Sequence, residues 1–426
     1  MNKIKKLHLC ILMMIIFTAI SVFSAKNASA NENELRGMWI SFMDFEPAGL
    51  YDKDETEFTA NADKIFKTLK NYGFNTVFFQ VRPYNDAIYP SEEFKWCTYI
   101  SPEETDYDPL EILISKAHEY ELDFHAWINP YRINKEKIYN PAKQSTTNHI
   151  VNGVMEIIQN YEVDGIHFDD YFYPSKHKGY QFYSVSIKKR KENINKMLKA
   201  VYSAIKTYNP NIIFGVSPSG NIEYSESLGC DIEAWLNEEG FMDYVLPQIY
   251  WSDNYITRNG KTTYFTDALD EWYYLSESEI PIYTGLALYK SGIISSTDRG
   301  WSKSNHNLIN QVKISREYGC DGYVMFSYRY LFTKEGKREI ATYMKSISGL
   351  IIKKSSVTLK KGKKYSLGKT VTINSPYPAS FKYSSSKPRI ASVSAKGIVK
   401  AKRRGIAQIS VRAVGGSKVT CKIKVR

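Results

Sequence analysis

Acidic residues are absent from the last stretch of the chain: residues 351–426 hold 20 Lys or Arg and no Asp or Glu. The formal charge of +12 over 426 residues therefore hides two modules of opposite sign, because residues 31–350 hold 33 basic residues and all 45 acidic ones. Cysteine is scarce too. Cys10, Cys97, Cys230, Cys320 and Cys421 lie far apart with no Cys-x-x-Cys spacing, which speaks against a zinc site or a dense disulfide framework. A chain of this length buries enough core to fold without disulfides.

Other absences narrow the chemistry. Only seven histidines are present and none forms a His-x-His pair. His125, His167 and Asp169 are thus the only grouping with a metal-ligand reading, and the expectation is no metal and no cofactor. Ser217 and Ser219 stand in no Gly-x-Ser-x-Gly elbow, which argues against a serine hydrolase. No glycine-rich phosphate loop follows Phe42, which argues against a doubly wound nucleotide-binding sheet. After residue 30 no apolar run is long enough to span a bilayer.

The one long apolar run is at the start. Lys3, Lys5 and Lys6 precede Leu7 to Phe23, and Ala28-Ser29-Ala30 follows, the order of a secretory signal with small residues at its cleavage point. The competing reading is a retained anchor, since the run approaches the ~18 to 20 residues of a spanning helix. Cleavage after residue 30 is the expectation, giving a secreted, extracellular or cell-wall-associated protein.

Between residues 31 and 350 short β-branched and aromatic runs alternate with amphipathic helical stretches, the pattern of βα units. The predicted strands are Gly37 to Phe42, Thr76 to Arg82, Phe124 to Asn129, Gly165 to Asp169, Ile212 to Ser217, Tyr244 to Tyr250, Ile282 to Leu288 and Gly322 to Ser327. Eight such units fit an α/β fold, a (β/α)8 TIM barrel, whose reactive groups sit where strands end and βα loops begin.

Those ends carry Trp39 and Ser41, Gln80 and Arg82, Trp127, Asn129 and Tyr131, His167, Asp169 and Asp170, Gln248, Tyr250 and Trp251, then Tyr289, Tyr328 and Arg329. Aromatic faces suit the C–H side of a sugar ring, and planar amides, guanidinium and carboxylates suit its hydroxyls. Side chains alternate along a strand, so His167 and Asp169 share one face, expected to point into the barrel mouth, with Asp170 on the other. The plainer reading is that both aspartates cap the next turn or pair with Arg82 or Arg132. Glycoside hydrolysis usually needs two carboxyl groups, about 5 Å apart for retention and roughly 6.5 to 9.5 Å for inversion. Asp169 is the first; Asp170, Asp86, Glu223 and Asp231 compete for the second, and a substrate N-acetyl group acting as nucleophile would remove the need for one.

Leu35-Arg36-Gly37-Met38-Trp39-Ile40, Asn75 to Pro83, Asp86 to Ser91, Asp108-Pro109-Leu110, His125 to Arg132, Asp164 to Phe172, Gly215-Val216-Ser217-Pro218 and Asp243 to Trp251 together resemble glycosyl hydrolase-like family 10, a bacterial (β/α)8-barrel family. The resemblance implies cleavage of glycosidic bonds in envelope or related polysaccharides. It carries over Asp169 and Asp170 as catalytic-site residues, with Gln80, Arg82, Asn129, Tyr131, Gln248 and Tyr250 lining the sugar cleft; Trp39, Asp86, His167 and Trp251, at or just after strand ends, are expected to bind substrate with them. Peptidoglycan glycan strands are the favoured polysaccharide substrate. A glycan-binding wall protein without catalysis is the alternative, motivated by the lack of a Glu on strand five; a metal-dependent polysaccharide deacetylase is a third reading.

From Ser355 the pattern becomes short alternating strands with turn residues, roughly seven strands in about 72 residues, as in a small all-β sandwich. Tyr383 to Gly397 and Gly405-Ile406-Ala407-Gln408-Ile409 are similar to bacterial immunoglobulin-like group 2 domains. Its charge produces a long-range positive field that would gather polyanions. An anionic cell-wall polymer is the expected partner, since export argues against nucleic acid; a soluble spacer is the plainer reading.

Overall fold

The computed structural model describes residues 34–169, 172–174, 182, 184–256, 264–278, 280–347, 349–352, 354–367, 371–374, 381–413 and 418–426. The expected signal and Asp170 lie outside them. Eight strands appear in chain order: β1 Leu35–Ile40, β2 Thr76–Arg82, β3 Asp123–Ile128, β4 Gly165–Asp169, β5 Ile213–Ser217, β6 Tyr244–Val245, β7 Tyr283–Leu286 and β8 Gly322–Phe326. The helices after them are α1 Glu55–Asn71, α2 Pro109–Glu119, α3 Gln144–Asn160, α4 Ile187–Tyr208, α5 Ile232–Asn237, α6 Phe265–Leu275, α7 Asn307–Tyr318 and α8 Lys334–Ile347. The predicted sixth strand is the shortest, because Pro247 has no N–H to give a ladder; beyond Val245 only isolated bridges continue it.

All strand pairs are parallel, in the order β6-β5-β4-β3-β2-β1-β8-β7. The ring is closed by the parallel bridges Val245 to Ile282 and Gln248 to Gly285, with Gly285 N donating to the Pro247 carbonyl at 2.9 Å. This is a (β/α)8 barrel. Helix starts follow from local chemistry: Asp54 accepts from Glu57 N, and Asp108 accepts from Leu110 N and Glu111 N with Pro109 in the first turn. Such caps satisfy the amides a helix start leaves open.

Two apolar layers result. The outer one packs the helices on the sheet. The inner one fills the barrel with Trp39, Phe78, Trp127, Tyr244, Leu246 and Val324. Rings this large fit only because glycine faces them. A Cβ on Gly215 would sit 2.0 Å from the Tyr244 ring, and one on Gly165 would sit 2.7 Å from His125.

A buried ion cluster lies where β1 begins. Glu34 accepts from Arg316 of α7 at both oxygens, at 2.6 and 2.9 Å, and from Arg36 at 3.5 Å. Glu34 and Arg36 are 3% and 2% exposed, so charges of both signs have left water here.

The C-terminal module contains β9 Gly349–Ile352, β10 Ser356–Leu359, β11 Lys364–Ser366, β12 Val371–Asn374, β13 Phe381–Ser385, β14 Ala391–Val393, β15 Ile398–Ala401, β16 Gly405–Ala413 and β17 Lys418–Val425. A four-stranded sheet in the order β10-β17-β16-β13 and a three-stranded one in the order β11-β15-β14 share a small core of Leu367, Val399, Ile409, Val411, Cys421 and Ile423. Alternate residues decide the faces: Cys421, Ile423 and Val425 are buried, while Lys422 and Lys424 are exposed. The module is a small all-β immunoglobulin-like domain, with nine strands among the described residues against the seven expected. Short pairings such as β9 with β12 have too few residues to show a clear two-residue period in sequence.

Candidate functional site

The two inner histidines are bound to one hydroxyl. Tyr244 Oη lies 2.9 Å from His167 Nδ1 and 3.2 Å from His125 Nδ1, while Trp39 Nε1 lies 3.4 Å from His167 Nε2. His167 thus touches β1 and β6, strands that are not its neighbours in the sheet, so it points into the barrel. Indole nitrogen can only donate. Trp39 therefore donates to His167 Nε2, the neutral His167 donates from Nδ1 to the Tyr244 oxygen, and the Tyr244 hydroxyl donates to His125 Nδ1. In this direction the Tyr244 hydroxyl both accepts from one imidazole and donates to the other.

Neither imidazole can readily take a proton here. Burial pushes His125 down to about 4 and His167 well below its ordinary value. In an unfolded chain both titrate near 6.5, so below that value the unfolded state binds more protons. Stability contributed by the two neutral rings is expected in full above about pH 6.5 and to fall as pH drops towards 4. Thermal melts across this range, with proton uptake on unfolding measured by calorimetry, check it; a melting temperature flat from pH 7 to 4.5 would contradict it.

One residue pair further along, Asp169 closes β4. It is 7% exposed, and its Oδ1 accepts from Gln248 Nε2 at 2.7 Å. The same amide approaches the Ser217 carbonyl at 3.3 Å. Gln248 therefore joins the ends of β4, β5 and β6 and fixes the carboxylate orientation.

Half-buried rings stand at or after other strand ends of the same C-terminal face. Tyr250 packs on Trp39, Tyr289 and Phe326 at centroid distances of 6.4, 5.6 and 6.2 Å. Across the mouth Phe42, Tyr84 and Tyr99 form a second group, with Phe42 and Tyr99 4.5 Å apart, and Arg132 lies over Tyr84. The Gln80 side-chain Oε1 accepts from Phe42 N at 3.0 Å, so it holds this group in place from below. Asn129 is engaged as well, accepting from Trp127 Nε1 and donating to the Pro83 carbonyl.

Several expected cleft residues are elsewhere. Arg82 points outward: a register shift between Gln80 and Arg82 reverses the alternation, and its guanidinium stacks on Phe94 at 3.3 Å against α3. Tyr131 is fully buried in the outer layer, near Phe172. Trp251 also packs on the outer layer, beside Tyr255, because it follows the inward Tyr250 by one residue. Asp86 accepts from Tyr84 N at 2.9 Å in a short parallel pairing with Lys95–Trp96, and burial raises its pKa. It shapes the loop under Tyr84. Of the other carboxylates weighed, Asp231 is bound to Lys191 and Asn195 on the outer helices, and Glu223 is exposed on the helix Ile222–Ser227. Among the described residues no three His, Cys, Asp or Glu converge as metal ligands.

A carboxylate that sequence reasoning passed over stands at the mouth. Asp44 is fully buried and accepts from Ser41 N, Ser41 Oγ, Ser327 Oγ and Arg329 N at 2.7 to 3.0 Å. Burial raises its pKa while these donors oppose the rise. Both oxygens are used to lock the end of β1 to the end of β8. The Ser41-Phe42-Met43-Asp44 spacing of a capping box was the available signal.

The sequence profile of the family described as glycosyl hydrolase-like 10 matches residues 34–138 and 133–303, and that of the bacterial Ig-like domain (group 2) matches residues 347–423. The glycosyl hydrolase YngK of Bacillus subtilis (strain 168) is 29% identical over 362 residues, covering 70% of this chain and 68% of that protein. The glycosyl hydrolase DigH of Escherichia coli (strain K12) is 26% identical over 342 residues, covering 63% and 76%. Among solved structures, the PgaB (BpsB) glycoside hydrolase domain from Bordetella bronchiseptica superposes with a TM-score of 0.51 at 11% identity, over 73% of this chain and 99% of that one. At that identity it supports the fold alone.

Proposed function

This chain belongs to the glycosyl hydrolase-like 10 family, and from that premise we propose that it is an exported hydrolase of O-glycosidic bonds in a cell-wall polysaccharide, with peptidoglycan glycan strands the favoured substrate. The observation that carries the reading is Asp169, a carboxylate held at the barrel mouth by Gln248 at 2.7 Å on the face that carries two groups of half-buried aromatic rings. The rings take the apolar faces of successive sugars, and Asp169 works as acid, base or nucleophile at the bond between them. Asp170, next in the chain, is the second carboxylate of the proposal.

The signal-like start, residues 1–30, supports export. The basic domain supports retention on an anionic wall polymer, which would raise the local concentration of substrate.

The test is digestion of purified glycan strands, both peptide-bearing and peptide-stripped, by residues 31–426, with mass spectrometry of the products. New reducing ends are expected, and the fragment masses identify the bond cut. Tight binding of the strands with no new ends would support a glycan-binding wall protein instead.

A further inference from the structure

The charge of the basic domain is ordered by its strands. Lys422 and Lys424 are exposed on β17, in register with Ser356 and Thr358 on one side and with Gln408 and Ile406 on the other. Two outward pairs further along, Arg412 is in register with both Lys382 of β13 and Lys418 of β17. Three basic positions thus stand opposite one another on neighbouring strands, spaced about 4.8 Å apart. Like charges placed this way destabilise a sheet, and residues 351–426 contain no acid to relieve them. Among the described residues the three-stranded sheet has one such juxtaposition, Lys364 opposite Lys400.

We propose that the outer face of the four-stranded sheet docks a phosphodiester polymer of the cell envelope that carries no bases, lying across β13, β16 and β17. This rests on the polyanion reading of the domain given above, and not on the hydrolase reading. Lysine meets phosphate as a point charge, and the hydroxyls of Ser356 and Thr358 beside Lys422 and Lys424 add neutral donors. Among the described residues, the exposed ones of this face include no Phe, Tyr or Trp. Binding of single-stranded nucleic acid relies on such rings to stack bases, so the face fits a polymer made of backbone charge alone.

The test measures binding of residues 31–426 to a synthetic glycerol-phosphate oligomer by fluorescence anisotropy over a series of salt concentrations. Two triple variants that remove equal charge are compared: Lys382→Gln, Lys422→Gln and Lys424→Gln on the face, against Lys364→Gln, Lys396→Gln and Lys400→Gln off it. The face variant is expected to lose at least about tenfold in affinity at 0.15 M salt and to lower the slope of log affinity against log salt by about 2. The off-face variant should change by less than about threefold. Thermal melts matching the parent establish that both are folded. Equal losses in the two variants would overturn the proposal in favour of diffuse charge. An oligothymidylate with the same number of phosphates is expected to bind no more tightly, and tenfold tighter binding would make the face a nucleic-acid site instead. Asp169→Asn is expected to bind the oligomer as the parent does, so loss of glycan cleavage and loss of polymer docking are separate results.

Discussion

Asp169→Asn is expected to lower glycan cleavage by about 10³-fold, within the range that a positioned acid or base contributes, while leaving folding and glycan affinity nearly unchanged. Asparagine has the same shape and keeps an oxygen to accept from Gln248, whose amide stands 2.7 Å from the carboxylate. It loses the capacity to exchange a proton or to attack as an anion. The comparison should be made on kcat and KM separately, because loss confined to kcat marks a group that acts only in the transition state. Cleavage by the variant at the parent rate would remove Asp169 from the chemistry and leave Asp170 as the carboxylate to examine.

The second large effect concerns stability. Glu34→Ala leaves the guanidiniums of Arg36 and Arg316 buried, with the carboxylate that accepted from both removed. Breaking a buried pair from one side usually costs about 3 to 5 kcal/mol, whereas replacing the whole cluster by apolar residues of similar volume is often near neutral. Urea denaturation should therefore show Glu34→Ala strongly destabilised, and Glu34→Met combined with Arg36→Met and Arg316→Met much less so. A Glu34→Ala variant within about 1 kcal/mol of the parent would mean that water reaches the site and screens it.

Much of the architecture was legible because each element keeps its period. Eight runs alternate with amphipathic helices, and β4 keeps its two-residue alternation, so His167 and Asp169 share the inner face. The failures have identifiable physical causes. Arg82 turns outward at a register shift inside Thr76–Arg82, a strand buried along its whole length, so Gln80 and Arg82 two residues apart read as one face and nothing in the sequence betrays the bulge. Tyr131 follows a strand end, where the period has no ladder to enforce it, while Trp251 keeps the alternation and turns outward next to the inward Tyr250. Asp44 was missed because a carboxylate in the turn after β1 looks like a cap, and only the three-dimensional return of β8 beside β1 brings Ser327 and Arg329 to it.

The run of donors from Trp39 through His167 and Tyr244 to His125 has a consequence for how the interior responds to change. Each member must hold its hydrogen on one particular atom for the next to be satisfied. Replacing Trp39 by Phe removes the first donor, and the remaining three groups can then reverse together, moving the hydrogen of His125 from Nε2 to Nδ1. A substitution on the first strand would be read by nitrogen NMR as a tautomer switch on the third, with no charge moved and no backbone displaced.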